Sequence, residues 1–164
     1  MAARHRRDLV IDAGFGVVAL REAIPGLFHR EPMVLFNDAH LDHVGGAAEF
    51  ADRAAHPAEA EVLVAGVPAS LYGAELYDKI GIDPAGEPVP ELMLDALPSP
   101  GYDPASYRIA PVTLNRMLDD GDRIDLGGRV LTVLHLPATH RAASPCWRSA
   151  PGPCIPATSS MTVP

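Results

Sequence analysis

The chain has 164 residues, of which 48% are hydrophobic and 21% are charged, and its formal net charge is −8. These values are typical of one globular domain that is long enough to bury a core. The negative charge argues against nucleic acid as a partner, because a phosphate backbone repels an acidic surface. The sequence contains no uninterrupted apolar run of about 18 residues, so no membrane span is expected.

The first part of the chain predicts strands that alternate with short helices. Apolar runs indicate buried strands, and a glycine turn at Gly14 and Gly16 follows the first of them. Pro25 and Pro57 mark helix boundaries. The predicted segments are a strand at 9–11, a helix at 17–23, a strand at 33–36, and helices at 46–55 and 58–65.

Residues 66–111 are rich in proline and glycine, which favours a long excursion with one or two short helices. Such an insertion forms either the wall of a substrate site or a loop without function. A turn at 119–122 follows, and then a hairpin of 123–126 and 130–136 through Gly127 and Gly128. This order predicts a layered α/β protein.

The sequence also bears on the cellular compartment. Arg4 to Asp8 is charged, so the N-terminus lacks the apolar core of a signal peptide. The only cysteines are Cys146 and Cys154, and without a signal peptide they do not predict a disulfide framework. A cytoplasmic location is the expectation.

One short segment, 37–46, concentrates the side chains that could bind a metal. Asp38, His40, Asp42 and His43 follow the second predicted strand directly, and Gly45 and Gly46 come next. Extended residues at alternate positions point the same way, so Asp38, His40 and Asp42 are expected to converge at the strand end. Imidazole and carboxylate ligands together suit zinc, iron or manganese rather than calcium or magnesium.

This segment resembles the metal-binding signature of the metallo-β-lactamase-fold hydrolases, His-x-His-x-Asp-His followed by Gly-Gly. The flanks are similar as well: 12–16 resembles the family's Asp-x-Gly turn, and 121–137 its Gly-Asp stretch with the following Leu-His-x-Pro strand. The resemblance covers roughly residues 8–137. It implies a partial αββα sandwich, with an incomplete domain at 1–137.

The resemblance also implies roles for the residues. Asp38 and His40 would bind a first metal ion, and Asp42 and His43 a second, with one or two zinc ions in the intact family. A bridging water made acidic by the metals would attack a carbonyl or phosphoryl centre, and Asp42 would be the catalytic proton shuttle.

The chain departs from the family pattern at three places. Asp38 stands where the family usually has histidine, which changes the charge and softness of the site. The strands that normally precede Leu9 are missing. Where the family continues from Leu-His-x-Pro into Gly-His, the chain has Ala138-Thr139-His140.

Residues 138–164 differ in composition from everything before them, since they contain no Asp, Glu or Lys but hold both cysteines and the only Trp. Back-translation with one G added after the Pro137 codon reads Pro-Gly-His-Ser-Pro-Gly-Gly, and later Ser-Gly-Asp, which are elements the family has there. We therefore predict an out-of-frame, disordered tail from a single-base deletion or a sequencing error. An unbroken frame on resequencing would contradict this.

Other residues have weaker claims to function. His135 is expected to be structural and His56 surface-exposed or half-buried, while Asp12 is expected to brace the Gly14 turn near the site. The four tyrosines of the excursion either line a pocket or anchor the loop. No Gly-x-Ser-x-Gly elbow supports a serine nucleophile, and no glycine loop of the phosphate-binding kind occurs.

Three functions remain open from the sequence. The first is a zinc-dependent hydrolase that cleaves an ester, thioester, lactone or similar bond in a small-molecule substrate. The second is a truncated, inactive fragment with an incomplete metal site. The third is a di-iron redox relative, which is less favoured because no flavin domain is present. The sequence does not indicate the oligomeric state.

Overall fold

The computed structural model describes residues 7–137, 143–149 and 154–155. They form two four-stranded sheets, one parallel with strand order β1-β2-β3-β4 and one antiparallel with order β5-β6-β7-β8. The strands are β1 (Leu9–Ile11), β2 (Met33–Leu35), β3 (Asp52–Ala55), β4 (Arg116–Met117), β5 (Arg123–Asp125), β6 (Val130–Pro137), β7 (Ala143–Ser149) and β8 (Cys154–Ile155).

Four short α-helices connect or follow the strands of the parallel sheet: α1 (Leu20–Ala23), α2 (Leu41–Val44), α3 (Ala60–Ala65) and α4 (Gly73–Ile80). Single 3-10 turns lie at Pro25–Leu27, Ala47–Glu49, Pro57–Glu59 and Pro104–Ser106. Within the described part of the chain, no helix is long and apolar enough to span a membrane.

The core is divided by the parallel sheet into two layers. Val34 and Phe36 face the helices, whereas Met33 and Leu35 face the antiparallel sheet, where they pack near Val133. Successive residues of a strand point to opposite faces, so a strand covered on both sides must be apolar throughout. The predicted layered α/β architecture is confirmed.

Two of the predicted segments differ from the structure. The alanine-rich segment 46–55 is not a helix, because its second half is β3, in which Ala54 and Ala55 are fully buried between β2 and β4. Pairing with two neighbouring strands outweighs the helical propensity of alanine. The predicted helix at 17–23 is also shorter, since only Leu20–Ala23 is helical.

The excursion packs on the helical layer with two short helical elements, as expected. Leu71, Leu76, Tyr107 and Val112 belong to the core cluster there. The hairpin through Gly127 is confirmed, with Ile124 opposite Leu131. Of the tail, β7 and β8 are described, and the rest of 138–164 lies outside the described residues; the predicted frame change stays a prediction.

Candidate metal centre

The carboxyl ends of the parallel strands bring distant residues to one edge of the sheet. Asp12 follows β1, Asp38 follows β2, His56 follows β3 and Asp119 follows β4. Ligands of open α/β sheets bind at this edge. The predicted metal-binding segment therefore lies where the topology places a site.

Asp38 is the buried centre of the predicted group. Its side chain is 4% exposed, and its Oδ1 atom lies 2.9 Å from Nδ1 of His40. The same oxygen accepts a hydrogen bond of 3.0 Å from the backbone N–H of His40. The side chain of His40 itself is 59% exposed, so this pair joins the interior to the surface.

Asp42 and His43 belong to α2 and not to an extended strand end. The expected alternation is therefore wrong for Asp42: the backbone is extended at His40 and becomes helical at Leu41. The helix instead places Asp42 and His43 side by side, with Nε2 of His43 lying 3.6 Å from Oδ2 of Asp42 and 3.7 Å from Oδ1 of Asp38. One imidazole nitrogen thus faces two carboxylates.

The other ring nitrogen of His43 is held by Asp12, whose side chain contacts His43 and Asn37 and not, as expected, the Gly14 turn. Nδ1 of His43 is buried and lies 2.8 Å from Oδ2 of Asp12. The two groups form an ion pair when the imidazole is protonated. Asp12 also accepts hydrogen bonds from the backbone N–H (2.9 Å) and side-chain amide (2.6 Å) of Asn37. Asp12 therefore ties the segment after β2 to the end of β1.

Two glycine turns meet backbone to backbone behind these side chains. A Cβ on Gly45 would lie 1.9 Å from the Phe15 carbonyl oxygen, and one on Gly16 would lie 2.2 Å from the Gly45 oxygen. The backbone N–H of Ala13 donates to the His43 oxygen at 2.7 Å. Gly45 has ordinary helical angles, so the close approach of Phe15, and not a tight turn, requires glycine there.

Tyr107 anchors the excursion to the same turn. Its buried hydroxyl donates a 2.6 Å hydrogen bond to the Phe15 oxygen. Burial raises the pKa of this phenol, so the hydroxyl keeps its proton. For Tyr107, loop anchoring is the correct alternative.

The sequence did not single out Glu59, which lies directly beneath the segment. Glu59 is 5% exposed at the end of the 3-10 turn after β3, and its Oε2 atom accepts a 3.0 Å hydrogen bond from the backbone N–H of Ala39. Burial raises the pKa of this carboxyl. No sequence pattern marks this contact, which exists only because β3 pairs with β2.

His56 and His135 form a separate stacked pair, with ring centroids 3.9 Å apart. Nε2 of His56 lies 4.0 Å from Asp119, and Nδ1 of His56 accepts from the N–H of Ala58. Burial and the nearby His135 lower the pKa of His56. His56 is half-buried, as expected; His5 and His140 lie outside the described residues.

The electrostatics of the group favour charged side chains in the metal-free chain. Burial by itself would raise the pKa of Asp38, but hydrogen bonds from His40 and the nearby imidazoles together lower it by more. The pKa of Asp38 is therefore below its ordinary value. The contact with Asp38 raises the pKa of His40. The contact with Asp12 raises the pKa of His43 to about 9 against the opposing effect of burial.

The donor set suits a zinc-type metal only in part. Two ligands about 2.0–2.2 Å from one tetrahedral ion lie about 3.3–3.6 Å apart, close to the distances from His43 Nε2 to the carboxylates. However, Asp38 Oδ1 is already engaged by His40. Over residues 7–137, 143–149 and 154–155, no three His, Cys, Asp or Glu side chains are arranged as a closed metal site.

Fold and signature together define the class: the chain belongs to the metallo-β-lactamase-fold family. It is 31% identical over 147 residues to the acyl-coenzyme A thioesterase MBLAC2 of Gallus gallus and 32% identical over 149 residues to that of Homo sapiens. Each match covers 84% of this chain and 48% of the relative, so the chain spans about half the length of these relatives. No protein-family model matches the chain.

Solved structures agree on the fold. A metallo-β-lactamase of Cronobacter sakazakii with a HARLDQ motif matches with a TM-score of 0.55 at 23% identity, over 86% of this chain and 46% of its own. The class B3 di-zinc metallo-β-lactamase LRA-12 from an Alaskan soil metagenome matches with a TM-score of 0.55 at 20% identity, over 90% of this chain and 48% of its own. The partial metallo-β-lactamase sandwich is thus confirmed.

Proposed function

We propose that the chain carries the first half of the active site of a metal-dependent hydrolase that cleaves acyl thioesters. The proposal is carried by one observation: Nε2 of His43 faces the carboxylates of Asp38 and Asp42, while Asp12 holds the opposite nitrogen. A carboxylate behind a ligating imidazole is a recurrent feature of metal sites. The thioester class is supported by the acyl-coenzyme A thioesterases to which the chain is similar.

In this proposal Asp38, His40, Asp42 and His43 hold zinc. When bound, zinc polarises a carbonyl and lowers the pKa of a coordinated water. Asp42 is the residue that moves protons, because its side chain is 50% exposed and can exchange protons with solvent. Asp38 is buried and serves to bind and orient.

The second candidate is an inactive chain that keeps part of a metal site. It is favoured by the lack of a closed set of ligands within the described residues. The two candidates differ in what the purified chain does with metal and substrate.

The test is metal analysis combined with release of free thiol from an acyl-coenzyme A. The hydrolase predicts one or two zinc ions per chain and thiol release that is lost in His43→Ala. His29→Ala is the matched control, because His29 is exposed and precedes β2, whereas the metal-binding segment follows it. A metal-free chain with no thiol release above that of His43→Ala would contradict the hydrolase and support the inactive chain.

A further inference from the structure

Glu59 makes an unusual contact for a buried carboxylate. It lies beneath the segment 38–40, and its hydrogen-bond partner is the backbone N–H of Ala39, between Asp38 and His40. The side chain comes from a different strand connection, the 3-10 turn Pro57–Glu59. The contact therefore fixes the metal-binding segment from outside that segment.

A buried carboxylate costs stability unless its bonds compensate, and an apolar residue often serves the core as well. Glu49 provides a comparison, since its carboxylate also accepts backbone N–H groups, from Leu20 and Arg21. That contact caps a helix at the partly exposed surface. Glu59 caps no helix with this bond, because Ala39 lies in a loop and precedes α2.

The bond controls one peptide plane. The N–H of Ala39 belongs to the peptide that also carries the carbonyl of Asp38, and the next N–H, of His40, donates to Oδ1 of Asp38. Ala39 is buried, so its N–H would have no solvent partner without Glu59. A shift of this loop to find another acceptor would move the N–H of His40, which holds the Asp38 carboxylate in place.

We propose that Glu59 is a positioning residue for the metal centre: it holds the Asp38–Ala39 peptide so that the Asp38 carboxylate faces Nε2 of His43. This inference rests on the proposed function, because it assigns a task to Glu59 in the same site. Glu59 holds the peptide through its hydrogen bond to Ala39 and not through the charge of its carboxylate.

The test compares zinc affinity, measured by competition with a chromophoric chelator, in the wild type and in Glu59→Ala, Glu59→Gln and Glu61→Ala. We expect zinc affinity to fall about 10–100-fold in Glu59→Ala, as is typical when a residue supporting a ligand is lost. Glu59→Gln keeps an oxygen that accepts from Ala39 and should bind within about threefold of the wild type. Glu61 lies two positions further along and is exposed, so Glu61→Ala is the matched control and should leave the zinc affinity unchanged.

Equal zinc affinity in Glu59→Ala and the wild type would overturn the inference alone, as would a loss in Glu59→Gln as large as in Glu59→Ala. A wild-type chain that takes up no zinc would overturn the proposed function as well. Circular dichroism checks that each variant folds. If Glu59→Ala does not fold, Glu59→Asp replaces it, because it withdraws the carboxylate by one methylene and should show the same loss.

Discussion

Nδ1 of His43 lies 2.8 Å from Oδ2 of Asp12, so a residue after β1 orients the imidazole of a residue in α2. The contact leaves Nε2 as the nitrogen that faces Asp38 and Asp42. Each His43 nitrogen therefore has a different task, and the two tasks can be separated by mutation.

Asp12→Asn should weaken zinc binding about 10–100-fold, because the neutral amide supports the His43 ring less well than a carboxylate does. The substitution keeps an oxygen for the backbone N–H of Asn37, so the chain should stay folded. Isothermal titration with zinc measures the change. Asp8→Asn is the control, since its side chain is exposed and makes no hydrogen bond or ion pair with the segment 37–46 in the described part of the chain. An unchanged zinc affinity in Asp12→Asn would contradict the role of Asp12.

Gly45→Ala should lower the free energy of unfolding by about 3 kcal/mol, which is the upper range for overpacking. The added Cβ would meet the backbone of Phe15 at 1.9 Å, and backbone atoms cannot move aside as a flexible side chain can. Urea unfolding gives the value. Gly26→Ala is the control, because a Cβ there meets nothing within 4 Å, and its unfolding free energy should change by less than about 1 kcal/mol.

Tyr107→Phe should lower the free energy of unfolding by about 1 kcal/mol, the net contribution of a typical hydrogen bond. The ring still packs in the core, so only the bond to the Phe15 oxygen is lost. Amide hydrogen exchange should rise in the 14–16 turn and around 107 in this variant. Tyr72→Phe is the comparison, since no hydrogen bond from the Tyr72 hydroxyl occurs among the described residues; equal exchange in both variants would argue against the anchor.

The His56–His135 pair predicts a pH-dependent stability. The pKa of His56 in the folded chain is lower than its ordinary value of 6.5, so the unfolded chain binds the proton more tightly. The contribution of His56 is therefore fully present above pH 6.5 and is lost as the pH falls below that value. The partners that face His56 are His135, which disfavours its charge, and Asp119, which favours it.

His56→Asn tests this, because asparagine still caps the 3-10 turn at Ala58 but does not titrate. The difference in thermal midpoint between about pH 7.5 and about pH 5.5 should be smaller in His56→Asn than in the wild type. A difference of the same size in both chains would show that other groups cause the pH dependence.

Much of the fold follows from local sequence signals, and the exceptions have a physical reason. The apolar run of β2 was recognisable because burial on both faces requires it to be apolar. β1 and the β5–β6 hairpin are only partly buried, and they were recognisable from short apolar or alternating runs beside glycine turns. β3 was not, because alanine carries no strand signal and only its two neighbours make it a strand.

The candidate site shows the same division. The spacing of Asp38, His40, Asp42 and His43 identified the segment, since those residues are close in sequence. Glu59 could not be found in this way, because its contact with Ala39 depends on the pairing of β3 with β2. Residues that act across strands become visible only when the sheet is assembled.

The meeting of Gly16 with Gly45 has a consequence for protein engineering. Neither turn has room for a side chain at the contact, so the two loops form one exchangeable unit. A graft of residues 38–46 from another member of the family should therefore be designed together with residues 12–16, because the backbones of the two loops are in direct contact.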